Sequence, residues 1–365
     1  MAVLKLGAGA RERVQSIVSA ALPEKSKLKS GAVKLTSKET GVELIGQVDD
    51  GRLTFILPYA AAGTEVELQI KAAGRTPDAV TLERKSSKVD ISIGGEYFSS
   101  YIFSSEVAKP CMAPVIGPYG DEVTRPLDPS ITEHAHHKGI FIAHGSVNGE
   151  EIWNEPKDRH GRCVQTAIEQ CESGPVFAKL VTHNMWQDRN GKDLMGETRT
   201  WRIYNTARSC RVVDVDLLFK GQPGEVVLGN TKEAGFLAVR VHPDMNADAG
   251  KGGRLESCYG GAGEPECWSY KSQWCDYSGI VSGNRVGIAA FDHPQNLRFP
   301  TRWHIRGYGL FAANPWYWDG EYKIAAGAEL LFRHRVIVHA GDSTAADIPT
   351  KYLEWEQGMH AEIEG

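Results

Sequence analysis

Three of the chain's twelve histidines fall within four positions, His134, His136 and His137, and His144 follows shortly after. Glu133 and Lys138 flank the group, and Gly139 and Gly145 permit tight turns around it. Imidazole titrates near neutral pH, so such a group can move protons or hold hydroxyls. In an extended segment His134 and His136 share one face and His137 takes the other. The same pair, His134 and His136, would be the first ligands of a divalent metal. A cupin-type His-x-His would then want a glutamate where the chain has Ile140, Phe141 and Ile142. No cofactor is firmly implied, and a divalent metal is the one that the cluster could take.

Four more segments carry chemistry. Asn148 and Trp153 lie in Val147–Trp153, which reads as a pocket wall or as an Asn-Gly hairpin turn. Glu197, Arg199 and Trp201 share one face if Gly196–Arg202 is a strand. An acid, a base and an indole on one face suit a sugar, and equally a solvated face with an ion pair. Lys232 and Glu233, in Gly229–Phe236, are bases or substrate anchors, or an ordinary surface pair. The stretch Asp292–Trp316 interleaves His293, Asn296, Trp303, His304 and Asn314 with prolines, as functional loops do.

The elements that must position these residues are strands. Val176–Val181, Val212–Phe219, Phe236–Val241, Val286–Phe291 and Leu330–His339 are apolar or alternating runs separated by turn signals. No helical crossover pattern intervenes, so antiparallel sheets stacked as a sandwich are expected. Near the start, Val14, Ile17, Val18, Ala21 and Leu22 follow helical spacing, which predicts a helix over Ala10–Leu22 ended by Pro23. Short alternating runs follow at Gly41–Ile45, Leu53–Leu57 and Val66–Ile70. The fold expected is therefore all-β: a small N-terminal β-sandwich appendage over residues 1–80, preceded by a short helix, and a large antiparallel β-sandwich over 81–365.

Composition narrows the function classes. With 41 basic and 46 acidic residues the net charge is −5, which suggests neither a nucleic-acid groove nor a polybasic membrane surface. Nine tryptophans, twelve tyrosines and 39 glycines suit strands with elaborate loops, and exposed indoles suit the apolar faces of sugars. Seven cysteines form no Cys-x-x-Cys pair and read as buried thiols. No apolar run is long enough to span a membrane, and Met1–Gln15 lacks the apolar stretch of a secretion signal, so the expectation is a cytoplasmic protein.

In order along the chain, Arg125-Pro126, HAHHKGIF (134–141), VNGEEIW (147–153), ETRTW (197–201), TKEAGF (231–236), DHPQN (292–296), WHIRGYG (303–309) and AANP (312–315) resemble the PmoA-like family over roughly residues 98–345. The resemblance implies an enzyme of bacterial sugar catabolism and a sheet similar to the galactose-mutarotase-like supersandwich. It pairs a histidine acid, His136 or His137, with a carboxylate base, Glu233. Glycoside cleavage by hydrolysis or β-elimination fits the same residues, epimerisation less well. In elimination, His137 or Lys232 would be the base, Arg199 the enolate partner and His293 the acid. Arg125, His134, His144, Asn148, Trp153, Glu197, Lys232, Asn296, Trp303, His304 and Asn314 would bind the saccharide. The alternatives are a carbohydrate-binding protein without catalysis and a metal-dependent oxidoreductase.

Overall fold

The computed structural model describes residues 2–364 apart from Arg75, Asp158, Ala249 and Lys251. Its strands form three large antiparallel sheets and one two-stranded ribbon, Val226–Leu228 with Tyr322–Ile324. The helices among the described residues are short: Gly263–Cys267, Ile348–Gln357 and a 3-10 turn at Pro243–Met245.

The N-terminal sheet has seven strands, in the order Arg13–Ala21, Arg52–Ala60, Glu43–Asp49, Gly31–Ser37, Glu65–Ala72, Val3–Gly7 and His360–Glu364. Leu4, Leu35, Leu53 and Phe55 are wholly buried in its core. The unit is one sheet with its own core. It takes its last strand from the C-terminus, so it is discontinuous in sequence rather than confined to 1–80.

The helix expected over Ala10–Leu22 is instead the strand Arg13–Ala21, paired antiparallel with Arg52–Ala60. Gln15 adopts φ 53°, yet the register is unbroken across it, from Val14↔Tyr59 to Ser16↔Leu57. Both faces of this strand are covered, Ile17 against the second large sheet and Val18 and Ala20 in the N-terminal core, so its apolar residues fall on both sides and imitate helical spacing. β-branched Val14, Ile17 and Val18 also favour the strand.

The main body stacks two eight-stranded sheets. The first runs Arg302–Arg306, Leu310–Asn314, Ala234–Arg240, Ile140–His144, Cys111–Val115, Glu96–Ile102, Lys88–Ile93, Val80–Arg84. The second runs Arg162–Glu172, Phe177–Gln187, Asp193–Tyr204, Cys210–Lys220, Glu329–Ala340, Asn284–Asp292, Trp274–Val281, Arg254–Ser257. Alternation sends Ile140, Ile142 and Val239 of the first sheet inward to share one core with Trp201, Val215 and Val336 of the second.

The outer face of the second sheet is covered. Phe291 and Ile337 pack there with Ile348 and Tyr352 of the C-terminal helix, and Ile17, Ile45 and Ile56 of the N-terminal sheet close over them. Polar ties fix the docking: Lys179 Nζ reaches Asp49 (2.9 Å) and Asp50 (2.6 Å), and Gln47 Oε1 accepts from the amides of Val176 and Phe177. The outer face of the first sheet is left for loops. Cys111, Phe141, Ala143, Ala238, Leu310 and Ala312 line it, with Trp153 over them. Three alanines in adjacent strands give this face a low floor.

Candidate functional site

The loop before strand Ile140–His144 folds over that floor and brings the histidine group with it. Arg125 Nη1 donates to the His134 carbonyl (2.7 Å) and Nη2 to that of Glu133. Gly139 ends the loop at φ +59°, where a Cβ would lie 2.3 Å from the Met112 carbonyl oxygen, so only glycine fits. Replacing Arg125 with Leu is expected to free this loop without unfolding the body. Amide exchange over residues 133–139 should rise at least tenfold, with exchange in the strand Phe177–Gln187 unchanged; equal protection in both proteins would refute the clamp.

His137 is buried, and its Nδ1 accepts from Arg240 Nη1 at 3.2 Å. The neutral ring therefore carries its proton on Nε2, a buried atom with no partner. Burial, then His136 and Arg240, push the His137 pKa far below the usual imidazole range. Burial, then Lys109, lower His136 to about 3. Tyr308 forms the centre. His134 stacks on it at 4.5 Å, and the Arg240 guanidinium lies 4.7 Å from its ring centroid. Burial raises the Tyr308 phenol to about 12, so it keeps its proton, and the Glu233 charge adds to the rise.

On the other side stands His304. Its ring lies 5.9 Å from Trp153, which in turn lies 5.8 Å from His137. His304 hydrogen-bonds the Lys232 backbone, and its Nδ1 is buried, unpartnered and 3.9 Å from Glu233 Oε2. Burial, then Arg306 and Lys232, hold it neutral, with a pKa of about 3. Asn314 fastens the Lys232 segment by donating to the carbonyls of Thr231 and Lys232 at 3.2 and 3.0 Å. The φ of +139° at Gly235, where a Cβ would meet the Ala313 carbonyl at 2.5 Å, sets the bulge that follows Glu233. Beside the histidine loop a cleft of about 510 Å³ is lined by Ile102, Val107, Arg125, Leu127, His137 and Lys138.

His134, His136, His137, Trp153, Lys232, Glu233 and His304 thus gather on one sheet face, with Arg125 and Asn314 holding their loops. The other residues singled out in sequence lie elsewhere. Glu197 and Arg199 do share a face with Trp201, but it is the inner face, where they form a fully buried ion pair (Nε–Oε1 2.6 Å). They are neither a surface nor an enolate partner, because the strand's odd positions point into the sandwich. His293 is on the second sheet, edge-on to Trp355 at 5.0 Å, and cannot be the acid of this site. His144 points into the core beside Trp316 (5.3 Å) because it shares the inward face of its strand with Ile140 and Ile142. Asn148 closes a hairpin turn, its Oδ1 accepting from Val227 N, and Asn296 braces Asp292 and Arg333. Trp303 is core, donating to the Ser272 carbonyl.

Sequence reading missed Arg240, Tyr308, Lys109 and Glu155. Arg240 breaks an otherwise apolar strand, a usable flag. Tyr308 sits in the WHIRGYG motif but earned no notice inside a turn. Lys109, wholly buried, and Lys138 both bind Glu155, at 2.7 and 3.0 Å, and against the opposing effect of burial they pull it down to about 2. That contact joins residues 46 positions apart in sequence. Among the described residues no group of three or more His, Cys, Asp or Glu has metal-holding geometry.

A family model described as a family of unknown function, DUF6807, matches residues 88–352. The chain belongs to this family. The DUF6807 region takes in all of the site and both large sheets except the edge strand Val80–Arg84. It leaves the N-terminal sheet outside. No curated protein matches the chain.

The enclosed histidines of this DUF6807 protein are expected to make it acid-sensitive. His144 and His304 are held at about 3 and His334 at about 4, all by burial. Their folded pKa values lie below the unfolded one, so their contribution is intact above about pH 6.5 and is lost as pH falls. Asp292 works the other way. Burial raises it to about 7, so its contribution declines as pH rises through that value. The depressed rings outnumber Asp292, so the unfolding free energy is expected to fall by roughly a few kcal/mol from pH 7 to pH 5. Urea unfolding at the two pH values measures it; equal stability would show that the rings are solvated.

Proposed function

We propose that this DUF6807 protein cleaves a glycoside by acid–base chemistry, through β-elimination, on the outer face of its first eight-stranded sheet. One observation carries the reading: the Nε2 of His137, the Nε1 of Trp153 and the Nδ1 of His304 are buried, have no hydrogen-bond partner and flank one indole. Buried polar atoms are ordinarily satisfied, and each unpaired one carries a desolvation cost of about 1–3 kcal/mol. Two are donors and the third an acceptor, which suits sugar hydroxyls, since each hydroxyl both donates and accepts.

Carboxylate inventory favours elimination over hydrolysis. Glycosidases ordinarily use two carboxyl groups. Here Glu155 is clamped by two lysines, and Glu264 is bound to Arg306 and the Gly307 amide. Glu133 is tied to His134 at 2.7 Å, and Glu233, with a 3.5 Å pair to Lys232, is the less committed carboxylate and the one taken to act. It takes a proton from the carbon next to a carbonyl or carboxylate of the sugar. Arg240 and the His137 Nε2–H steady the enolate. The electron pair forms a carbon–carbon double bond as the glycosidic C–O bond breaks, and Tyr308 protonates the departing oxygen. The proton on Glu233 passes by way of His304 or solvent to restore the phenol.

The resemblance to PmoA-like proteins and to the galactose-mutarotase-like supersandwich fits this reading, since paired antiparallel sheets with a site on one outer face suit both. Seven cysteines without disulfides suit a reducing compartment, and we place the protein in the cytoplasm. No helix among the described residues is long and apolar enough to cross a membrane. The test is incubation with uronic-acid and keto-sugar glycosides. Appearance of an ultraviolet-absorbing unsaturated sugar is expected. Saturated products would replace lyase by hydrolase, and binding by calorimetry with no product would make this a carbohydrate-binding protein.

A further inference from the structure

From His304 a line of aromatic rings leads out of the site. Trp268 lies 4.9 Å from His304, Tyr317 stacks on Trp268 at 5.5 Å with 19° between planes, and Trp318 lies 4.6 Å from Tyr317. Exposure rises along it: His304 is buried, Trp268 and Tyr317 are half-buried, and Trp318 is 66 % exposed. An exposed indole normally gains by packing down. Here the backbone prevents that. Trp318 is held at φ 73°, a left-handed conformation that a bulky side chain adopts only when its surroundings impose it.

Those surroundings are two arginines. Arg298 donates to the carbonyls of Pro315, Gly320 and Glu321, and Arg302 Nε binds Asp319 at 3.0 Å. The loop that carries the two outer rings is therefore built rather than loose. The rings are also interleaved with charge. The Arg306 guanidinium lies 4.6 Å from the Trp268 ring and binds Glu264, while Lys271 is 4.0 Å from Asp319. A protein partner's apolar patch would have to desolvate these charged groups. A sugar ring, apolar on its faces and hydroxylated on its rim, fits both kinds of group.

We infer that Trp268, Tyr317 and Trp318 form outer subsites for an oligosaccharide, so that the substrate is a glycan of several units rather than a monosaccharide glycoside. This rests on the proposed sugar site at His304. Each step of the ladder is about one sugar ring long, and the strained, clamped Trp318 marks its solvent end.

The experiment is calorimetric titration of the full chain and of Trp318→Ala and Trp318→Phe with pectic, xylan and cellulose fragments of one to six units. Wild-type affinity is expected to rise with length. Trp318→Ala should weaken the longest fragment about tenfold and leave one- and two-unit fragments unchanged, with Trp318→Phe restoring most of the loss. Equal affinity of wild type and Trp318→Ala for every length overturns the subsites while the sugar site stands. Equal weakening at every length also overturns them, since the residue would then act at the site itself. Failure of the wild type to bind any fragment overturns both.

Discussion

Glu197→Ala is expected to lower the unfolding free energy by about 3–5 kcal/mol. Four donor atoms from three side chains converge on this carboxylate. Arg199 donates from Nε at 2.6 Å and Nη2 at 3.1 Å, Trp186 from Nε1 at 2.7 Å, and the Cys163 thiol at 3.6 Å. Removing it leaves a guanidinium in the middle of an apolar sandwich. Burial alone would lower the Arg199 pKa, yet Glu197 outweighs it and holds the group charged. Without that partner the charge keeps the Pro110 carbonyl at 3.4 Å and the Cys163 sulfur at 4.0 Å, both weak acceptors at those distances. The double variant Glu197→Leu/Arg199→Met should recover at least half of the loss, since an apolar pair of similar volume replaces both charges. Urea denaturation of the three proteins measures this. A loss under about 1 kcal/mol for Glu197→Ala would mean that water reaches the pair.

Glu233→Gln is expected to reduce turnover of a cleaved glycoside by at least about 10²–10⁴-fold with unfolding free energy unchanged within about 0.5 kcal/mol. The side chain is partly exposed, pairs with Lys232 at 3.5 Å and lies 3.9 Å from His304 Nδ1, and is not part of the apolar core. Glutamine keeps its shape and cannot accept the proton. His304→Ala should behave differently. It empties space between Trp153 and Trp268, so part of its effect is structural, and His304→Gln is the cleaner probe. If Glu233 hands its proton to His304, His304→Gln should lower kcat more than kcat/KM, because regeneration follows bond cleavage. Full activity in Glu233→Gln would remove the mechanism. A loss matched by an equal loss of stability would reduce Glu233 to a structural role.

The period-two alternation in Val212–Phe219 and Leu330–His339 was enough to establish strands, and the absence of helical crossovers was enough for antiparallel sheets. Local composition also marked three stretches that do meet at the site: the histidine loop, the Lys232–Glu233 bulge and the segment around His304. The physical reason is that both signals are local. Alternation records which side of a strand is dry, and dense polar and glycine content records a loop that must bend.

Which side faces which partner was not legible. Glu197, Arg199 and Trp201 do lie on one face, yet whether that face looks at a ligand or at a second sheet depends on strands up to a hundred residues away. The same holds for His293 and His304, eleven positions apart, which end on different sheets because the chain changes sheet between them. The layers that cover each strand decided the remainder. Strand Arg13–Ala21 is covered on both faces, Ile17 by the body and Val18 by its own core, so its apolar residues imitate a helix. His144 follows Ile140 and Ile142 into the core by plain alternation, while the loop before that strand keeps His137 on the site face. A covering layer comes from distant sequence and leaves no local trace in the strand that it covers.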